Sequence, residues 1–116
     1  MIVEAIFTSP KDSLACHLIV DTGASLTMIP PQVALLLGCD PAKSKRRVGI
    51  VTASGFKYLP VVTIPLVESL GCRVRNFPVI CHELPSQSTV DGLLGLDFLS
   101  RFVPFREFRR AILKEA

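Results

Sequence analysis

The sequence predicts an all-β domain, and three observations carry that reading. Runs rich in β-branched and aromatic residues recur along the chain, short clusters of turn residues separate them at hairpin spacing, and only two short stretches are punctuated like helices.

Taken in order, residues 2–8 read as a strand, and Ser9-Pro10-Lys11-Asp12-Ser13 is a turn cluster joining it to a second strand over residues 14–20. After Thr27-Met28-Ile29, the pair Pro30-Pro31 resets the backbone. Residues 32–37, with Gly38 behind them, read as a short helix with a glycine stop. Residues 41–47 are a polar loop. Residues 48–52 and 56–62 form a second hairpin around Ala53-Ser54-Gly55. A further strand pair, residues 61–68 and 72–81, turns at Ser69-Leu70-Gly71; Pro60, Pro65 and Pro78 place parts of these strands at edges or bulges. Residues 84–89 make a polar connection to Val90-Asp91-Gly92 and the buried pair Leu93-Leu94, where Gly95 permits close backbone approach. Asp97 is read as the N-cap of a short helix over residues 98–103, which Pro104 ends. In the tail, Phe105, Phe108, Ile112 and Leu113 fall at helical spacing.

A chain of 116 residues is one domain, residues 1–116, large enough for a modest core. Its net charge of +3 is mildly basic. The basic clusters, Lys43-Ser44-Lys45-Arg46-Arg47 and the stretch from Arg106 to Arg110, read as a solvated loop and terminus; with few aromatic residues to stack bases, nucleic acid is not an expected partner. No stretch is long enough to span a membrane and no signal-peptide pattern opens the chain, so no membrane partner and a cytoplasmic location are expected. Cys16, Cys39, Cys72 and Cys81 lack CxxC spacing and read as small core hydrophobes rather than disulfides or metal ligands.

Chemistry is concentrated in Leu18-Ile19-Val20-Asp21-Thr22-Gly23-Ala24-Ser25, where an apolar run ends in an aspartate on a tight turn. The strand holds the carboxylate, Gly23 allows the chain to turn, and the N–H groups of the turn fix its orientation before a substrate arrives. About seventy residues on, a second apolar segment follows: Val90-Asp91-Gly92-Leu93-Leu94-Gly95-Leu96-Asp97-Phe98-Leu99. Together the two motifs resemble the retropepsin-like aspartic proteases, the family of retroviral proteases and their cellular and bacterial relatives. The resemblance covers nearly the whole chain.

It implies a small closed acid-protease barrel, one lobe per chain, with a flap hairpin and one or two short helices. It makes Asp21 the catalytic aspartate, Thr22, Gly23, Leu93, Leu94 and Gly95 the support of the catalytic turn, and Ala53, Ser54 and Gly55 the tip of the flap. Ala24, Ser25, Leu26, Met28, Ile50 and Leu93 become candidates for substrate contact, residues 105–116 a strand at a dimer interface, and Thr22 a grip on the partner's backbone. No cofactor and no metal are implied.

Hydrolysing a peptide with carboxylates needs one group to take a proton from water and another to give one to the departing nitrogen. Two carboxyls about 3 Å apart share a proton and supply both roles. This chain has a single Asp-Thr-Gly. Asp91 is the only internal candidate for the second carboxyl, and it lacks the threonine. Symmetry is the better solution, because two copies related by a two-fold axis bring Asp21 against Asp21. Ser25 lacks a nucleophile elbow, and His17, about 13 Å along an extended strand from Asp21, is too far to assist. Cys16-His17 and Cys81-His82 cannot chelate, since neighbours on a strand point to opposite faces. The expectation is therefore an aspartic endopeptidase acting as a homodimer on a peptide or protein substrate. Its competitors are a non-catalytic, peptide-binding or assembly dimer of the same fold and a domain cut from a longer polyprotein.

Overall fold

The computed structural model describes residues 1–53, 55–84 and 88–101. Its first hairpin pairs β1 (Ile2–Thr8) with β2 (Ser13–Val20) across the turn expected from sequence. Ser9 N–H donates to Asp12 O (2.8 Å), and the Ser9 hydroxyl oxygen accepts from the N–H groups of Lys11 and Asp12. A two-residue strand β3 (Met28–Ile29) leads through Pro30 into α1 (Pro31–Leu36). Gly38 (φ +76°) ends that helix: Cys39 N–H donates to Ala34 O and Gly38 N–H to Leu35 O, the paired bonds of a glycine C-cap. The expected polar loop opens with a 3₁₀ turn at Pro41–Lys43, whose Ala42 N–H donates to Asp40 Oδ1 and whose Lys43 N–H donates to Asp40 O.

Strand β4 (Arg47–Thr52) then pairs with β5 (Gly55–Ser69), and β5 with β6 (Cys72–Cys81). The sequence reading divides residues 56–68 into two segments; the structure makes them one strand of 15 residues that changes partners. Up to Pro60 it pairs with β4, and from Val61 it pairs with β6. Pro60, which has no N–H to give, sits at the changeover. The ladder to β6 skips Pro65 and Asn76, the latter at φ +51°. Leu70 (φ +53°) and Gly71 (φ +75°) form the two-residue turn between β5 and β6, the backbone hand that suits a twisted hairpin.

The chain finishes its described part with β7 (Gly92–Leu94) and α2 (Leu96–Leu99). Strands follow in the order β1-β2-β7-β3-β6-β5, and β1 pairs with β5 from Ala5↔Ser69 to Thr8↔Leu66, which closes a six-stranded barrel. Among the described strands only β4 stands outside it. The pairs β2–β7 and β3–β6 are parallel, the rest antiparallel.

The barrel is filled by Phe7, Leu18, Ile29, Ile64, Val67, Phe77, Leu94 and Phe98, each 0% exposed. Phe77 and Phe98 meet edge to face at 5.6 Å, and the Arg101 guanidinium lies 5.4 Å from the Phe77 ring centre. A smaller cluster of Leu59, Val61 and Ile80, with Met28, Val48 and Ile50 against it, fills the root of the β4–β5 hairpin. No described helix is long and apolar enough to cross a membrane.

The C-terminal helix differs from expectation. It begins at Leu96 behind Gly95, so Asp97 lies inside its first turn and is not its N-cap; the carboxylate is drawn to Thr27 instead. The helix also ends earlier than expected, at Leu99, with Ser100 as its C-cap and Arg101 in the turn beyond; residues 102 and 103, the stop at Pro104 and the tail of residues 105–116 lie outside the described residues, as do Ser54 and residues 85–87.

Replacing Phe98 with Ala should cost about 3–5 kcal/mol in urea unfolding, because it opens a cavity against Phe77. Burial pushes the thiols of Cys16 and Cys81 up to about 11, with the Asp91 charge adding to the first and Cys39 to the second. The folded state thus holds these protons more tightly than an ordinary thiol at 9.0. Their contribution is complete below about pH 9 and is lost as pH rises towards about 11. Urea midpoints should fall over that window, and fall less in Cys16→Ala.

Candidate active site

Strand β2 carries Leu18 into the core and delivers Asp21 to the end of the barrel. The β2–β7 ladder runs Leu18↔Gly92, Ile19↔Leu93, Val20↔Leu94, and Asp21 N–H extends it by donating to Leu94 O (3.0 Å). The carboxylate is half-buried, and its Oδ1 accepts from Gly23 N–H at 2.9 Å, while Ala24 N–H closes the turn on Asp21 O. Among the described residues Oδ2 accepts no hydrogen bond, and the Thr22 side chain makes none either. One oxygen of Asp21 is therefore fixed by the backbone and the other is open to a substrate or a second chain.

The turn is laced to the segment after β7. Leu96 N–H donates to Ala24 O and Asp97 N–H to Ser25 O. Thr27, 0% exposed, gives its hydroxyl proton to Asp97 Oδ1 (2.8 Å) and its N–H to Asp97 Oδ2 (3.1 Å), and its hydroxyl oxygen accepts from Gly95 N–H (3.1 Å). The closeness of the two segments needs glycine. A Cβ on Gly95 would stand 2.7 Å from the Leu26 carbonyl carbon, and one on Gly92 (φ +155°) would stand 2.3 Å from Met28 O. Thr27, Asp97 and Gly92 were not singled out for the site from sequence. The one local signal was a polar residue inside the apolar run Leu26-Thr27-Met28-Ile29.

Asp91 is no ordinary turn aspartate. Its carboxylate accepts from His17 N–H (2.8 Å) and its N–H donates to His17 O (2.7 Å), with the imidazole Nδ1 3.9 Å away. That clamp joins β7 to β2 four residues before Asp21, about 13 Å along the strand. Asp91 therefore cannot meet Asp21. Cys16 is buried while His17 is exposed, so the two point to opposite faces of β2.

Beside the Asp21 turn lies a cleft of about 340 Å³ between residues 23–26 and the root of the β4–β5 hairpin. It brings together Ala24, Ser25, Leu26, Met28 and Ile50, and adds Val48, Gly49 and Ile80, which sequence reading did not select. Leu93 is not part of its lining, although its pairing with Met28 turns it, like Met28, away from the barrel interior where Gly92 and Leu94 are buried. Leu94 touches the turn directly, its carbonyl accepting from Asp21 N–H, whereas Gly95 N–H reaches Thr27 beyond the turn. The hairpin ends at the pair Thr52↔Gly55, with Ala53 and Gly55 (φ +116°) at the tip. On its outer side Val51, Phe56 and Tyr58 are exposed, and the two rings pack edge to face at 5.0 Å with Phe56 over Gly49.

Thr27→Val keeps the volume of the side chain but leaves Asp97 and Gly95 N–H short of a buried partner. It should lower stability by about 1–3 kcal/mol in urea unfolding, with Thr27→Ser much milder.

Comparison with known proteins agrees with this geometry. The fold is similar to that of a retropepsin-like aspartic protease from Rickettsia conorii, at 28% sequence identity and a TM-score of 0.66 over 91% of this chain and 82% of that one. No curated protein sequence matches the chain. A family model described as aspartyl protease matches residues 11–98, a span that takes in the Asp21 turn, the β4–β5 hairpin and the Thr27–Asp97 lacing. By that match the chain, a closed six-stranded barrel with its aspartate on the turn after β2, belongs to the aspartyl protease family.

Proposed function

We propose that the protein is an aspartic endopeptidase whose working form is a homodimer, with the Asp21 carboxyls of the two chains facing each other. The observation that carries this reading is the state of Asp21: one oxygen is tied to Gly23 N–H, the other is open, and the site lies at the edge of an apolar cleft. The carboxylates nearest in the sequence motif, Asp91 and Asp97, are committed to His17 and Thr27. A second copy supplies the missing group. Its approach is favoured by Ile2 and Ile19, which are paired across β1 and β2, by Met1, whose carbonyl accepts from Val20 N–H, and by Leu26; all four are exposed apolar residues near the Asp21 end.

In this reading, one carboxylate takes a proton from a water held between the pair as the water oxygen attacks the scissile carbonyl. The partner carboxyl then gives its proton to the departing nitrogen as the C–N bond breaks. The substrate lies extended between the turn and the hairpin, where Leu26, Met28 and Ile50 offer apolar contact and backbone groups add strand-like hydrogen bonds. Ala53, Ser54 and Gly55 close over it as a flap, and Thr22 reaches across the two-fold axis.

Asp21→Asn should abolish cleavage of a peptide pool while leaving the urea midpoint near that of the parent; turnover by the folded variant would refute the assignment. Specific activity should fall on dilution in step with the dimer population seen by sedimentation. Excess Asp21→Asn chains should poison the wild type by forming mixed dimers, and Thr22→Ala should weaken association by about 1 kcal/mol. A fully active monomer would exclude the symmetric pair.

A further inference from the structure

We propose that Lys57 selects the substrate, favouring peptides with an Asp or Glu side chain two or three residues from the scissile bond; this rests on the protease reading above. The register of the hairpin places it. Val48↔Leu59 and Ile50↔Lys57 are directly opposed pairs, two residues apart, so all four side chains leave the same face. Three of them, Val48, Ile50 and Leu59, pack in one cluster with Met28 and Ile80, and Val48 and Ile50 line the cleft. Lys57 is the fourth. Its stem therefore rises beside Ile50 on the cleft side of the hairpin.

Near its tip the hairpin departs from the usual distribution of polarity. An exposed hairpin ordinarily turns charge outward and apolar groups inward. Here Val51, Phe56 and Tyr58 occupy the outer side, 80%, 59% and 68% exposed, while the lysine shares the inner side. Among the described residues no carboxylate pairs with Lys57, since the ion pairs are His17–Asp91 and Arg73–Glu68. No charged side chain lines the cleft itself. An ammonium above an uncharged, partly enclosed groove favours an anionic side chain beneath it and opposes a cationic one.

Position along the substrate follows from the strand. Lys57 stands two pairs back from Thr52↔Gly55 at the tip, roughly 7 Å. A peptide running extended under the hairpin meets it about two residues from the bond beneath the tip, and in a symmetric dimer it does so on both sides.

The test compares decapeptide pairs identical except for Glu or Gln at positions two or three residues from a cleaved bond. The wild type should cleave the Glu peptide with a kcat/KM about fivefold higher, the scale of a partly exposed ion pair, and the ratio should shrink in 0.5 M NaCl. In Lys57→Met the ratio should approach one, Lys57→Arg should keep it, and Lys57→Glu should prefer Lys over Gln. A wild-type ratio near one, or a ratio unchanged in Lys57→Met, overturns the proposal. Binding of the same labelled pairs to Asp21→Asn, read by fluorescence anisotropy with and without Lys57→Met, separates it from the catalytic reading. Lys57-dependent discrimination in binding without any wild-type cleavage would sink the protease assignment alone. Cleavage without discrimination would sink only the role of Lys57, and peptides neither bound nor cleaved would sink both.

Discussion

The hydroxyl of Thr27 is fully buried and bonded in both senses, donating to Asp97 and accepting from Gly95. In a low-dielectric interior such a group has two acceptable states, both partners present or the side chain absent. It therefore locks the segment before β3 to the segment after β7. Asp21 depends on that lock, because its own N–H is held by Leu94 O, one residue before Gly95, and its turn continues directly into Ala24 and Ser25, whose carbonyls accept from Leu96 and Asp97. Moving the carboxylate would mean breaking backbone bonds on both sides of it.

Topology explains why so few residues accomplish this. Strand β7 has three residues, yet it lies between β2 and β3 and makes a parallel ladder with one and an antiparallel contact with the other. A strand this short holds its place by fit rather than by length. Gly92 brings it against Met28 O at one end and Gly95 brings the chain against Leu26 at the other, approaches that any Cβ would prevent. The two glycines and the buried threonine thus act together: the first two permit contact and the third fixes its register.

What the sequence made legible was the local chemistry. The Ser9 turn, the glycine stop of α1, the reversal between Thr52 and Gly55 and the bounds of β1 and β6 follow from turn and cap residues acting on their neighbours. Features set at long range were less visible. A two-residue strand such as β3 has no periodicity to detect, and the continuity of β5 through Pro60 is decided by its change of partners. Asp97 looked like a helix cap because its nearest donors in sequence are helical N–H groups; Thr27, 70 residues away, supplies a buried hydroxyl and competes successfully. The five cleft residues read from sequence do share one cleft, whereas Leu93, though paired with Met28, does not line it.

The distribution of carboxylates gives the fold its chemical direction. Each of the three aspartates in the two motifs is bound to backbone, but to different extents. Asp97 uses both oxygens on Thr27 and one of them also on Phe98 N–H, and Asp91 faces His17 about a strand's length from the turn. Asp21 and Asp91 each keep one oxygen without a described donor, and of the two it is Asp21 that stands on the turn beside the cleft. The proposed mechanism asks for a nearby carboxyl to share a proton and divide the labour of base and acid, and with Asp91 and Asp97 bound elsewhere it takes that group from a second chain. In that proposal the exposed apolar residues at the same end are the surface a second copy would cover. On this reading the lacing that commits Asp97 to Thr27 also leaves the site half-complete, so that rigidity within one chain and dependence on another have a common origin.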